Sequence, residues 1–217
     1  MRFEILYRYK VILWDFDGVI KESNQIKKKA YAKMFSRYGN YTLEKILDHH
    51  YHNGGISREN KIPLYFNKFV GIHLSPEEKD KKCMEYSKLV VQDVIKAPWV
   101  PGALDYLKSN NDKQRFVLIT GTPESEIKEI LKRLNIFEYF QNIYGSPISK
   151  VNAITNELNN GIKVKDCLFI GDSTTDYEAA KSFQISFLLR ETEENKKLFL
   201  DYSGPRFYNF KDFYESN

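Results

Sequence analysis

The chain is poor in cysteine, in long apolar runs and in net charge. Only Cys83 and Cys167 occur in 217 residues. That excludes a disulfide framework and makes a reducing compartment the default. Cys167 sits in an apolar run and reads as a small buried hydrophobe, and Cys83 lies among Lys81, Lys82 and Glu85 on an expected helix. No window approaches the length of a membrane span, and Ile5–Tyr7 is too short for the apolar region of a signal peptide. The expectation is a soluble cytoplasmic protein, monomer or homodimer, with no membrane partner. The net charge of +4 is small for this length. No helix concentrates it with interleaved aromatics, so nucleic acid is not an expected partner. The triple lysine Lys27–Lys29 is expected on a solvated helix face. Internal repeats and low-complexity segments are absent.

What is present supports a substantial core, with 42% hydrophobic and 15% aromatic residues. The organising stretch is Lys10–Ile20. Val11, Ile12, Leu13 and Trp14 suit a strand buried on both faces. It ends in Asp15, Phe16, Asp17 and Gly18. Two carboxylates at the end of a buried strand cost desolvation and repulsion unless something positive sits there. A hard cation such as Mg2+ would explain their company, whereas a simple turn cap is the plainer alternative.

The pattern then changes period. Asn24–Tyr38 is predicted as a helix stopped near Gly39. A second helix is predicted from a cap at Thr42 to about Gly54-Gly55, and a third from Ser57 with Pro63 inside it or marking a late start. Ser75-Pro76-Glu77-Glu78 opens a fourth, running to about Lys96. Residues 22–96 therefore read as all-helical. Outside them, strands are expected at Arg115–Thr120, Ile143-Tyr144, Asp166–Ile170 and Ser186–Leu189. Helices are expected at Pro123–Leu134, Lys150–Leu158 and Thr174–Ser182. This alternation predicts an α/β fold, a Rossmann-like doubly wound parallel sheet. Its core would be 1–21 and 97–217, with an inserted all-α cap at 22–96 over the sheet's carboxyl edge, where ligands bind in such folds. Met1–Tyr9 is either a short edge strand or a lead-in.

Polar residues gather at the strand ends. Thr120-Gly121-Thr122 joins a hydroxyl, a glycine turn and a helix start, which suits an anion or an ordinary cap. Lys150 opens a helix, where a cation gains nothing from the dipole, and makes sense if it faces a phosphate or carboxylate. Asp172 ends a buried strand, and Asp176 follows one helical turn later. A parallel sheet would bring all of these to one edge.

At these positions the chain resembles the haloacid dehalogenase-like hydrolase superfamily. Asp15-Phe-Asp-Gly-Val, Thr120, Lys150 and Gly171-Asp172-x3-Asp176 match its four ordered motifs, and the helical insert resembles the cap of its phosphoglycolate phosphatase and β-phosphoglucomutase branch. The resemblance implies Mg2+-dependent phosphoryl transfer through an aspartyl-phosphate. Asp15 would be nucleophile and metal ligand. Asp17 would be general acid/base, with a pKa raised by crowding, and its backbone carbonyl would ligate the metal. Thr120, Gly121 and Lys150 would bind the phosphoryl group. Asp172 would ligate Mg2+, and Asp176 would support the site from nearby. Glu22 stands where many relatives have aspartate, and Val19 where threonine is common; neither departure touches a catalytic role.

In the insert, His49–Arg58 is the most polar stretch. Arg58 offers a fork to a carboxylate or hydroxyls, and Gly54-Gly55 lets the loop approach the core. Asn53 and His50 are further specificity candidates. A zinc site at the histidines lacks a completing cysteine or acid. The expected function is a Mg2+-dependent phosphatase of a small phosphorylated metabolite of phosphoglycolate or sugar-phosphate type. The alternatives are a phosphomutase and a non-catalytic binding protein on the same fold.

Overall fold

The computed structural model describes residues 5–213. Six parallel strands form one sheet in the order β3-β2-β1-β4-β5-β6. They are β1 (Val11–Trp14), β2 (Arg115–Pro123), β3 (Asn142–Ser146), β4 (Cys167–Gly171), β5 (Ser186–Arg190) and β6 (Arg206–Phe207). The fold is the expected α/β parallel sheet. β1 is flanked by β2 on one side and β4 on the other, so the chain switches direction across it, and the crevice outside its carboxyl end is the natural ligand position.

Strand alternation divides the core into two layers. Ile12, Trp14, Phe116, Leu118, Leu168 and Ile170 face one side, and Val11, Leu13, Val117, Ile119, Cys167 and Phe169 the other. The first layer is covered by α5 (Ala103–Asn110) and α6 (Glu124–Arg133). The second is covered by α7 (Lys150–Asn159) and α8 (Thr174–Ser182).

Between β1 and α5 lie α1 (Asn24–Phe35), α2 (Asn40–His52), α3 (Arg58–Tyr65) and α4 (Pro76–Lys96). They pack on one another through Tyr31, Phe35, Tyr65, Phe66 and Tyr86. The Ser75–Glu78 capping box opens α4. The chain passes into and out of this helical block at adjacent points. Glu22 N–H donates to Pro98 C=O over 2.9 Å, and Val100 N–H to Ile20 C=O over 3.0 Å. Beside them the buried Lys21 amine lies 4.3 Å from the Trp99 ring centre and donates to Ile95 C=O.

Several local expectations need correction. α2 starts at Asn40, ahead of Thr42, because Gly39 at φ 91° already turns the chain. Of the two placements open to Pro63, the one inside the helix holds, and α3 runs on as a π-turn over Phe66–Val70 until Gly71. α5 and β6 carried no readable pattern: Pro101-Gly102 masks the start of the one, and the other is two residues long. Of Met1–Tyr9, residues 1–4 lie outside the described part, and Leu6–Arg8 is a 3-10 turn rather than an edge strand.

Phe116 shows how the layers are held. It is fully buried, with its ring edge-on to Trp14 at 5.5 Å and further contacts to Tyr106 and Phe140. Phe116→Ala is expected to cost about 3–5 kcal/mol in urea unfolding; a loss below about 1 kcal/mol would contradict this packing.

Candidate active site

Sheet register assembles the site. Trp14 aligns with Leu118 and with Ile170, so the residues that follow each of them emerge at one edge. The Asp15 N–H donates to Ile170 C=O over 3.0 Å. Asp15, Asp172 and Asp176 then present carboxylate oxygens within 4.8 Å of one another, all buried.

Lys150, the first residue of α7, enters this cluster. Its ammonium lies 3.3 Å from Asp15 Oδ1 and ion-pairs with Asp176 Oδ1. Asp176 Oδ2 accepts from the Ser173 N–H and hydroxyl, capping α8. One carboxylate thus closes a helix and holds a lysine. Burial alone would weaken the Lys150 ammonium, but Asp15 and Asp176 outweigh it and hold its pKa above the ordinary value. Asp172 Oδ2 accepts from Asn24 Nδ2 over 2.6 Å. Gly18, at φ 73°, lets the backbone pass this carboxylate; a Cβ there would sit 2.0 Å from Asp172 Oδ2.

The four acids are not equally occupied. Among the described residues, Asp15 has Lys150 as its sole polar side-chain contact. Asp17 accepts from Ser23 Oγ over 2.6 Å, from Thr122 Oγ1 over 3.3 Å and from the Lys27 ammonium. Burial would raise Asp17, but Lys27, Ser23 and Thr122 together bring it below the usual carboxylate value. This corrects the expectation of a raised pKa: crowding by carboxylates is overridden by a cation from α1. It also corrects the reading of Lys27–Lys29, since Lys27 turns inward while Lys28 and Lys29 stay exposed. Burial and Asp176 push Asp15 well above the ordinary range against the pull of Lys150. The same two causes raise Asp172 to about 7.

Thr120 and Gly121 lie in an irregular stretch where the β2–β3 register shifts. The helix begins only at Glu124, so they do not sit at its start. Thr120 Oγ1 accepts from the Thr122 N–H. Gly121 meets the helical block directly, since a Cβ there would lie 2.2 Å from Gly55 C=O. Gly55, at φ 80°, leaves no room for a Cβ beside Thr175 and Ser173, and Gly54 C=O accepts from Thr175 Oγ1 over 2.7 Å.

The other residues singled out in the block are placed differently. The Arg58 fork is taken by Glu126 of α6 and by Ser87, over the Tyr86 ring. It ties the block to the core and is not open to a ligand. Asn53 Nδ2 donates to His49 C=O at the end of α2. The histidines do not converge: His49 meets Tyr65, His50 meets Lys61, and His52 meets Asp48. Lys27 and Lys61 were missed as site residues, although each lies three or four positions from buried aromatic or aliphatic residues of its own helix. Both line a cavity of about 330 Å³ together with Asp15, Asp17, Thr120, Asp172 and His50.

The donor set suits a divalent cation. Asp15, Asp172 and Asp176 face one ammonium, and Arg190, beyond them, is held by Glu22. Ionised together, they leave negative charge buried and uncompensated, which an ion with oxygen ligands would offset. Since both oxygens of Asp176 are engaged, Asp15 and the remaining oxygen of Asp172 are the open ligands.

Comparison with known proteins agrees with this geometry. The family model of the haloacid dehalogenase-like hydrolases matches residues 9–184. The chain belongs to this family. A phosphorylated carbohydrates phosphatase of Thermotoga maritima is 29% identical over 181 residues, covering 80% of this chain and 81% of the relative. Among solved structures, a β-phosphoglucomutase of Clostridium difficile superposes with a TM-score of 0.73 at 18% identity, over 95% of this chain and 96% of the other. A predicted phosphoglycolate phosphatase of Haemophilus somnus gives 0.71 at 16% identity, over 96% and 97%. This hydrolase thus shares its whole architecture with both the phosphatase and the phosphomutase type.

A carboxyl whose folded pKa is raised keeps a proton that the unfolded chain sheds, so stability falls as pH rises from the ordinary carboxyl range toward 7. A divalent cation displaces those protons. It is therefore expected to raise the melting temperature more at about pH 8 than at about pH 6, by roughly 5–10 °C at a hundredfold excess over its Kd. Equal shifts at both pH values, or none, would contradict a cation at Asp15 and Asp172.

Proposed function

We propose that this chain is a Mg2+-dependent phosphatase that hydrolyses a small phosphorylated metabolite, a sugar phosphate or a short phosphorylated acid, through an aspartyl-phosphate. The observation that carries the reading is the unequal occupancy of the acids. Among the described residues Asp15 has Lys150 as its sole polar side-chain contact, while Asp17, Asp172 and Asp176 are each held by hydrogen bonds, from Ser23, Asn24 and Ser173 respectively. The resemblance of 80% of the chain to a phosphorylated carbohydrates phosphatase supports the same chemistry.

In this reading Asp15 attacks phosphorus, and the ester P–O bond breaks as the leaving oxygen takes a proton from Asp17. Water, losing a proton to Asp17, then attacks the aspartyl-phosphate, releases inorganic phosphate and restores Asp15. Lys150 screens the approach of carboxylate to phosphate dianion and, with the Thr120 hydroxyl and the Gly121 amide, holds phosphoryl oxygens. Asp15, Asp172 and the Asp17 carbonyl would hold Mg2+, which supplies further charge neutralisation on the phosphoryl group when bound. Asp176 positions Lys150. At rest Asp17 is ionised by its pair with Lys27. An incoming phosphate dianion competes for Lys27 and so raises Asp17 toward the protonated form that the first step requires. Residues 22–96 act as the cap over this edge, with Gly54-Gly55 sealing it against Gly121.

Phosphate release from a panel of phosphomonoesters, with and without Mg2+, tests the proposal. Asp15→Asn is expected to reduce release to background; turnover that survives it would remove the assigned nucleophile. Isomer conversion of a sugar phosphate without release would replace hydrolysis by mutase activity. Lys27→Met removes the cation that keeps Asp17 ionised, so the pH dependence governed by Asp17 is expected to move up by about one unit. An unmoved profile would contradict the coupling.

A further inference from the structure

The cations around the cavity are not equivalent. Lys27 is paired with Asp17, Lys150 with Asp15 and Asp176, and Arg58 with Glu126. Lys28 is exposed and free to hydrate. Lys61 is different. It is 2% exposed, lines the cavity, and has no carboxylate partner among the described residues. Its polar contact is His50 Nδ1 at 3.1 Å.

A buried ammonium beside a neutral ring is costly unless something compensates it. The surroundings make matters worse: burial, Lys27 and Lys150 all disfavour its charge and bring its pKa to about 7. His50 cannot share the load as a cation, because burial and Lys61 keep it neutral. When Lys61 is an ammonium donating to Nδ1, the neutral His50 ring carries its proton on Nε2 and is itself a donor. Lys61 and His50 thus form a donor pair on the wall contributed by the helical block, in the same cavity as Asp15.

We infer that Lys61 and His50 form a subsite for a second oxyanion, so that the preferred substrate is a phosphomonoester carrying a carboxylate or a second phosphate at the end remote from the reacting phosphoryl group. The inference rests on the phosphatase reading and narrows it to doubly acidic metabolites. The Arg58 fork is spent on Glu126, so Lys61, not Arg58, is the cation that selects the leaving group. Neutral-tailed phosphomonoesters would leave Lys61 without a counter-charge and gain nothing from it.

The experiment compares kcat/KM for phosphoglycolate, a hexose bisphosphate and glycerol 3-phosphate in the wild type, Lys61→Met and Lys61→Gln. The readout is the preference for each doubly acidic substrate over the neutral-tailed one. It is expected to fall roughly 10- to 100-fold in both variants, the loss typical of a hydrogen bond to a charged group. The phosphoglycolate and bisphosphate arms tell a carboxylate subsite from a phosphate subsite. Lys61→Met replaces a buried charge by an apolar chain of similar length and is expected to melt no lower than the wild type; Lys61→Gln decides the matter if it does not fold.

A wild type without preference for a second acidic group, or variants with unchanged preference, would overturn the subsite and leave the phosphatase reading intact. If no substrate releases phosphate, the phosphatase reading fails. Calorimetric binding of the same three compounds to Asp15→Asn, with and without Lys61→Met, then decides the subsite alone. Lys61-dependent binding of the doubly acidic compounds upholds it, and Lys61-independent binding or no binding overturns it.

Discussion

The site depends on one buried ammonium. Lys150 stands between Asp15 and Asp176, and without it three carboxylates would crowd the same edge with no fixed counter-charge. Because Asp176 also caps α8, the helix start, the lysine and the Asp15 carboxylate share one arrangement. A flexible amine is thereby fixed without a dedicated partner, since the residue that orients it already serves the backbone. The charge that Lys150 leaves unbalanced suits a cation and an anion that arrive together, which is what phosphoryl transfer with a metal requires.

The helical block completes this edge in two ways. Its loop lays Gly55 on Gly121, and its first and third helices send Lys27 and Lys61 into the cavity. Lys27 reaches the Asp17 carboxylate itself, so the position of α1 and the protonation of Asp17 are linked. Arg58 and Glu59 fasten α3 to Glu126 and Ser146 of the sheet domain. Block and sheet thus meet through polar contacts around the cavity and share one apolar cluster that holds Tyr86 and Val90 of α4 with Ile127 and Leu131 of α6.

Much of this was legible in the sequence, and the reasons differ by residue. Val11–Trp14 and Cys167–Gly171 are runs that only a strand buried on both faces accommodates, so the acids behind them were placed by topology alone. Ser75-Pro76-Glu77-Glu78 announced α4 through backbone chemistry. Side-chain partnerships across elements were not legible. Lys27 looks like its solvated neighbours until α1 is seen against β1, although its spacing from Ala30 and Tyr31 places it on their buried face. The commitment of Arg58 to Glu126 joins positions far apart in the chain, which no local pattern encodes. The pKa of Asp17 was misread for the same reason: carboxylates adjacent in sequence were visible, and the cation that overrides them was not.

The paired crossings at Glu22–Pro98 and Ile20–Val100 carry a topological consequence. The path leaves the sheet layer and rejoins it through the same doorway, so strand order is indifferent to how much polypeptide is looped out between them. Residues beyond the doorway are free to change in number while the carboxyl edge of the sheet keeps its register. A rewritten excursion leaves the alignment of Trp14 with Leu118 and Ile170, and so the meeting of the strand ends, untouched.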